Sequence, residues 1–220
     1  MFRKILSYFV PLTIHQRKSD ISANLEVTWN NGQLVLDSKN TNYSYGSLQR
    51  ILRKGLNYIG YDRIREFDSI LVLGVAGGSV LKTLAEEIKF KGKITGVEID
   101  AHVVAIANEY FGIDRIPNCE IIVADAFEFV LQTREKYDLI IIDIFQDTKM
   151  PAFLFEDFFI NRINHLLKVN GFILFNTMTL IEQHKTRNLA YRAHFNEDFS
   201  VRMYPKVEDH NELFTIKKLR

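Results

Sequence analysis

One cysteine, Cys119, stands in a chain of 220 residues, so no disulfide can form within it and no cysteine cluster is present to bind a metal. The six histidines are scattered, with no His-x-x-x-His pair. No apolar run approaches the ~20 residues that a membrane span needs. Charge of one sign is also missing. Lysine and arginine total 28 against 27 acids, a formal net charge of +1, which gives no global field to draw in nucleic acid or an anionic surface. Low-complexity tracts, internal repeats and long linkers are absent as well. The start, Met1-Phe-Arg-Lys-Ile-Leu-Ser-Tyr-Phe-Val-Pro, has the basic-then-apolar order of a leader peptide. Its apolar part is short, Pro11 interrupts it and no small-x-small site follows, so it reads as a short amphipathic helix and the protein as cytoplasmic. Cys119 precedes a predicted strand, where a buried structural role is expected of it.

What is present is a repeating strand–helix pattern. Ala23 to Trp29 and Gln33 to Asp37 flank Asn30-Asn31-Gly32, a hairpin turn signal. Ser38 to Ser44 is polar and reads as a loop. Leu48, Ile51, Leu52 and Leu56 then recur at helical spacing, with Ser47 as the expected N-cap. From Ser69 onward strands are predicted near 69–73, 93–98, 119–123, 138–142 and 171–176, and helices near 79–89, 101–111, 126–134, 152–168 and 181–194. Five βα repeats imply parallel strands with helices on both faces. Phe199 to Tyr204 and Leu213 to Lys217 break the rule and predict an antiparallel hairpin at the sheet edge. The division expected is an N-terminal helix and β-hairpin extension, residues 1–46, followed by a single α/β domain, residues 47–220.

The chemistry concentrates between Ser69 and Asp100. A buried strand, Ile70 to Leu73, runs into Gly74-Val75-Ala76-Gly77-Gly78 and then a helix. Glycines here permit backbone angles closed to other residues and let a ligand lie against the main chain. The helix start offers unpaired N–H groups. Twenty residues beyond Gly78 a second strand ends in Glu98, placed to accept ribose hydroxyls. Together these form a nucleoside-binding half-site. The dinucleotide fingerprint fails at Ala76 and Ser79, and the Walker pattern fails for want of Gly-Lys-Ser/Thr.

Four segments, Ile70 to Leu81, Val97-Glu98-Ile99-Asp100, Ala124-Asp125-Ala126-Phe127-Glu128-Phe129 and Tyr137 to Asp143, resemble in order and spacing the class I S-adenosylmethionine-dependent methyltransferase fold, and within it the spermidine synthase-like branch. Asn31 to Asp37 resembles that branch's N-terminal hairpin. The resemblance implies a Rossmann-like, seven-stranded, mostly parallel sheet with an antiparallel C-terminal hairpin, and a site for S-adenosylmethionine or its decarboxylated form. It places Gly74, Ala76 and Gly78 under the methionine part, Glu98 at the ribose, Ile99 on the adenine face, and Asp125 with the Ala126 backbone at the adenine edge. Asp100 and Asp125 also precede predicted helices, so a capping role stands beside the binding role for both.

The second substrate's residues depart from the branch. Its paired acids after the fourth strand of the repeat appear here as Asp143-Ile-Phe-Gln146-Asp147, and its Tyr-His/Gln-Glu element as Tyr45-Gly46-Ser47. A buried diammonium needs acids around it. The thinned set therefore favours methyl transfer to a small acceptor over aminopropyl transfer, with a non-catalytic nucleoside-binding protein as a third reading. Asp143 is the expected base. Tyr43, Tyr45, Gln146 and Asp147 are candidates for the acceptor pocket, against packing for the tyrosines and a solvated loop for the other two; Asn176 is a further candidate. No metal, nucleic acid or membrane is expected, and the hairpin suggests a homodimer or larger.

Overall fold

The structure, a computed structural model, describes residues 2–19, 21, 24–38, 42–145, 149–208 and 210–220. A short helix α1 (Phe2–Leu6) leads into a four-stranded antiparallel sheet of β1 (Leu12–Arg17), β2 (Leu25–Asn30), β3 (Gln33–Ser38) and β4 (Asn42–Ser44), in that order. The Asn31-Gly32 turn between β2 and β3 takes positive φ at both residues, 48° and 76°, which is why that dipeptide sits there. The predicted hairpin is therefore the centre of a larger sheet. β1 and the β4 end of the polar segment were not read from the sequence, because both edges mix polar and apolar residues without clean alternation.

Two helices, α2 (Gly46–Ile59) and α3 (Tyr61–Arg65), connect to the main sheet. α2 begins at Gly46 with Tyr45 as its N-cap and no side-chain capping bond, so Ser47 lies inside the helix and does not cap it. The main sheet holds β5 (Ser69–Leu73), β6 (Lys93–Glu98), β7 (Cys119–Val123), β8 (Tyr137–Ile142), β9 (Leu167–Met178), β10 (Phe199–Tyr204) and β11 (Asn211–Lys218). Their spatial order is β10-β11-β9-β8-β5-β6-β7, with β5 to β9 parallel and β11 antiparallel to both neighbours. Both faces of the central strands are covered, and Ile70 to Leu73 and Leu139 to Ile141 have no exposed surface.

The crossover helices are α4 (Ser79–Lys82), α5 (Ala101–Ile106), α6 (Ala126–Gln132), α7 (Asp157–Leu166) and α8 (Glu182–Ala193). α4 and α5 each widen into a π-helical turn, Thr83–Ile88 and Ala107–Phe111, that completes the helical stretches expected from periodicity. The long helix expected over 152–168 is shorter: a 3-10 turn at Ala152–Phe155 precedes α7, and Leu167 already pairs with Tyr137 as the start of β9. Asn170-Gly171 thus falls at a register shift inside β9. Leu52, Leu56, Ile141, Leu174 and Leu213 pack on one face of the sheet, and Phe159, Phe175, Tyr191 and Phe214 on the other. Cys119 is half-buried and burial pushes its thiol up to about 11, so it is an inert core group at neutral pH.

Candidate active site

The carboxyl ends of β5, β6 and β8 meet where the strand order reverses, the place where open α/β sheets hold ligands. β5 ends at Leu73 and the chain turns through Gly74, whose φ of 87° excludes a residue with Cβ. A Cβ there would also lie 2.2 Å from the Asp143 carbonyl oxygen. The glycine turn and the tip of β8 are thus in van der Waals contact. Gly78, at φ 78°, opens α4. Ala76 between them also takes a left-handed φ, 47°, in a position glycine would occupy without strain.

Glu98 closes β6 and is almost fully buried. Its Oε2 accepts the N–H groups of Val75 and Ala76 at 3.1 and 2.9 Å, and its Oε1 accepts Asp100 N–H at 3.1 Å. Burial raises its pKa, and these three backbone bonds oppose the rise. Glu98, the acid expected at the ribose, clamps the glycine turn. Three of its roughly four acceptor positions are taken within the protein, which leaves Oε1 the freer oxygen for a sugar hydroxyl. Ile99, the residue after the end of β6, is exposed. Asp125 caps α6, with Oδ1 accepting Phe127 N–H at 2.7 Å and Glu128 N–H at 3.3 Å, and Ala126 is the first residue of that helix. Asp100 caps α5 through His102 N–H and accepts the Ser19 hydroxyl from the segment between β1 and β2. Both expected caps form. Asp125 Oδ2 makes no bond to either N–H of its own helix.

Asp143 follows β8. Ile142 is in register with Phe175 of β9, so the next residues, Asp143 and Asn176, fall side by side. Asn176 Nδ2 donates to Asp143 Oδ1 at 2.9 Å. Burial pushes the Asp143 carboxyl from 3.8 up to about 6, and the Asn176 bond pulls against it. A carboxyl raised into that range, with one neutral partner and the glycine turn in contact with its backbone, has the properties of a general base.

The acceptor-pocket candidates divide. Tyr45 is a core residue: its ring stacks on Phe111 at 4.6 Å and the Lys82 ammonium lies over it, while burial drives its pKa upward. This is a packing role for the ring. Tyr43 is in β4, and its side chain lies outside the described residues, as do Gln146 and Asp147 entirely. Among the described residues, no group of three His, Cys, Asp or Glu is placed to hold a metal ion, and no helix is long and apolar enough to cross a membrane. Two contributors had no sequence signal. Ser44, closing β4, accepts Ser79 N–H, and Asn211, opening β11, donates to Asn176 Oδ1 at 3.0 Å. Both act across long sequence separations that no local pattern reveals.

The family model for the spermine/spermidine synthase domain matches residues 56–207, more than half of the chain. The chain belongs to the spermine/spermidine synthase family. A polyamine aminopropyltransferase of Vibrio vulnificus is 29% identical over 139 residues, covering 62% of this chain and 46% of that protein. The chain spans less than half the length of the curated relatives it matches. Spermidine synthase from Thermotoga maritima superposes with a TM-score of 0.70 at 22% identity, over 94% of this chain and 72% of that one. Human methyltransferase-like protein 13, solved with SAH, gives 0.66 at 19%, over 80% of this chain and 83% of that one. At these identities the two structures establish the shared fold, a Rossmann-like sheet ending in an antiparallel hairpin.

Proposed function

We propose that this family member is an aminopropyltransferase: it transfers the aminopropyl group of decarboxylated S-adenosylmethionine to an amine of the polyamine type. The family and the aminopropyltransferases among its relatives support this reading over the methyl transfer that the thinned amine pocket suggested. The observation that carries it is Asp143, a carboxyl with a pKa of about 6 whose own backbone touches the glycine turn. Methyl transfer needs alignment above all, whereas an amine acceptor arrives as an ammonium and must lose a proton before it can attack.

The donor fits the residues present. The turn at Gly74 leaves no room for a Cβ, Glu98 Oε1 retains acceptor capacity, and Ile99 presents an apolar face. Bound there, the donor supplies a sulfonium-activated carbon and leaves as a neutral thioether. The chain's own residues do the rest. Asp143 Oδ2, the oxygen not engaged by Asn176, accepts the ammonium proton. The freed nitrogen forms its bond to carbon as the carbon–sulfur bond breaks. Ionised Asp143 also offers the cationic acceptor an opposite charge. Asp147, one residue later than the family's second acid, is the sequence's candidate for a second charge.

The test is incubation with decarboxylated S-adenosylmethionine and putrescine, and in parallel with S-adenosylmethionine and the same amine, with products read by mass spectrometry. An aminopropylated amine with release of methylthioadenosine supports the reading. Methylated amine from the second mixture and nothing from the first overturns it.

A further inference from the structure

Asp143 is the inner end of a chain of side-chain amides that reaches the sheet-edge hairpin. Asn176 donates to Asp143 Oδ1 at 2.9 Å, and Asn211 donates to Asn176 Oδ1 at 3.0 Å. Asn176 has no exposed surface, so it cannot turn to water for a partner. Asn211 is fixed by its backbone as well: its N–H donates to Glu208 O, its carbonyl accepts Val207 N–H, and it pairs with Met178 of β9. The loop it closes is held to α2, where Lys54 donates to Val207 O and Glu208 pairs with Arg50 and Lys54.

An amide has one donating end and one accepting end, and that gives the chain a direction. With Asn211 presenting its NH2 to Asn176 Oδ1, Asn176 has only its own NH2 to turn toward Asp143. Asp143 Oδ1 must then accept, which a carboxylate oxygen does more strongly than the carbonyl oxygen of a carboxylic acid, so the bond favours the ionised form. We infer that Asn211 is a positioning residue that, through Asn176, sets the hydrogen-bond polarity at Asp143 and so holds it in the ionised, proton-accepting form. This rests on the reading of Asp143 as the base for its meaning in turnover, but the polarity itself is independent of that reading.

Among the described residues, β5 brings Gly74 backbone to Asp143 and β9 brings Asn176. Among the described residues, burial and the Asn176 amide are the influences acting on its carboxyl, and no charged side chain is among them. The charges of the hairpin loop, Glu208 with Arg50 and Lys54, are paired with one another at the surface.

Replacing Asn211 with aspartate inverts the chain while preserving size. An acceptor at 211 draws the Asn176 NH2 toward itself and leaves Asn176 Oδ1 facing Asp143, which is satisfied only when Asp143 carries a proton. Asn211→Ala removes the preference without reversing it. The experiment titrates Asp143 by carboxyl carbon NMR, assigned with Asp143→Asn, in wild type, Asn211→Ala and Asn211→Asp, each checked for folding by circular dichroism. The expected result is a midpoint raised by about one pH unit or more in Asn211→Asp and by less in Asn211→Ala. Because an aspartate at 211 also raises the Asp143 midpoint by like-charge repulsion, the neutral variant decides: a wild-type midpoint in folded Asn211→Ala, or equal midpoints in wild type and Asn211→Asp, overturns the inference. The acidic limb of aminopropyl transfer should move with the titration. A shifted midpoint with an unmoved limb leaves the polarity standing and strikes the assignment of Asp143 as the base.

Discussion

Ser44, the last residue of the small sheet, accepts the N–H of Ser79, the first residue of α4, at 3.2 Å. The helix starts at a glycine, which has no side chain to cap it, so its cap arrives from 35 residues earlier in the chain. A Cβ at Gly77 would lie 2.8 Å from the Ser44 Cβ, so the second glycine of the turn makes room for the small sheet as much as for a ligand. Ser44→Ala should cost about 1 kcal/mol by leaving a buried N–H unpaired, a fall of roughly 2–4 °C in melting temperature. Donor affinity should fall with it, because the same turn is the proposed bed of the donor. Thermal denaturation indistinguishable from wild type would show that the two sheets are not joined through this bond.

Ala76 offers the opposite test. Its left-handed φ of 47° costs a residue with Cβ about 1–2 kcal/mol, and glycine pays that back less its greater freedom in the unfolded chain. Ala76→Gly should therefore stabilise the protein by about 0.5–1 kcal/mol, read in urea denaturation. Gly74→Ala should do the reverse, by several kcal/mol, because its φ of 87° and the Asp143 carbonyl 2.2 Å away allow no Cβ. Equal stabilities for both variants and wild type would mean the turn adjusts freely.

The centre of the main sheet was legible because its strands are buried on both faces: Ser69 to Leu73 and Lys93 to Glu98 are bounded as their apolar runs predict. Cys119 to Val123 is also bounded as predicted, although it is a half-exposed edge strand. Glu98 and the glycine turn were legible for a related reason, since a strand end and a helix start fix their geometry within thirty residues of chain. β1 was not, since Leu12 to Arg17 carries threonine, histidine, glutamine and arginine and lies at a sheet edge. Tyr45 reads equally as a pocket or a core residue until Phe111 is known to stack on it. The Asn211–Asn176–Asp143 chain was invisible for the deepest reason: its three members come from three strands whose register only the fold decides.

Glu98 has two duties, and removing it should show both. Glu98→Ala takes away the acceptor for the N–H groups of Val75, Ala76 and Asp100, so the melting temperature should fall even without ligand. It should also weaken donor binding by about 1–3 kcal/mol in calorimetry, the effect of ribose hydroxyls left unpaired. Glu98→Gln retains one carbonyl oxygen and should fall between the two. A variant that loses stability but keeps wild-type donor affinity would confine Glu98 to clamping the turn.

Asp143 predicts a trade of activity against stability, with a sign fixed by its pKa. Burial holds the proton on the folded protein's carboxyl up to about pH 6, against 3.8 for an ordinary aspartate. The raised value contributes stability that is fully present below pH 3.8 and is lost as pH climbs through 6. At pH 7.5 the ionised group thus opposes folding by up to about 3 kcal/mol. Asp143→Asn should remove that burden, so the variant should resist urea better than wild type at pH 7.5 and lose its advantage near pH 4. Turnover should move the other way, falling by about 10²–10⁴ with donor affinity nearly unchanged, and the wild-type rate should drop as pH falls below about 6. A variant no more stable at pH 7.5 would mean the carboxyl is better solvated than its surroundings imply. Full turnover in that variant would take Asp143 out of the mechanism.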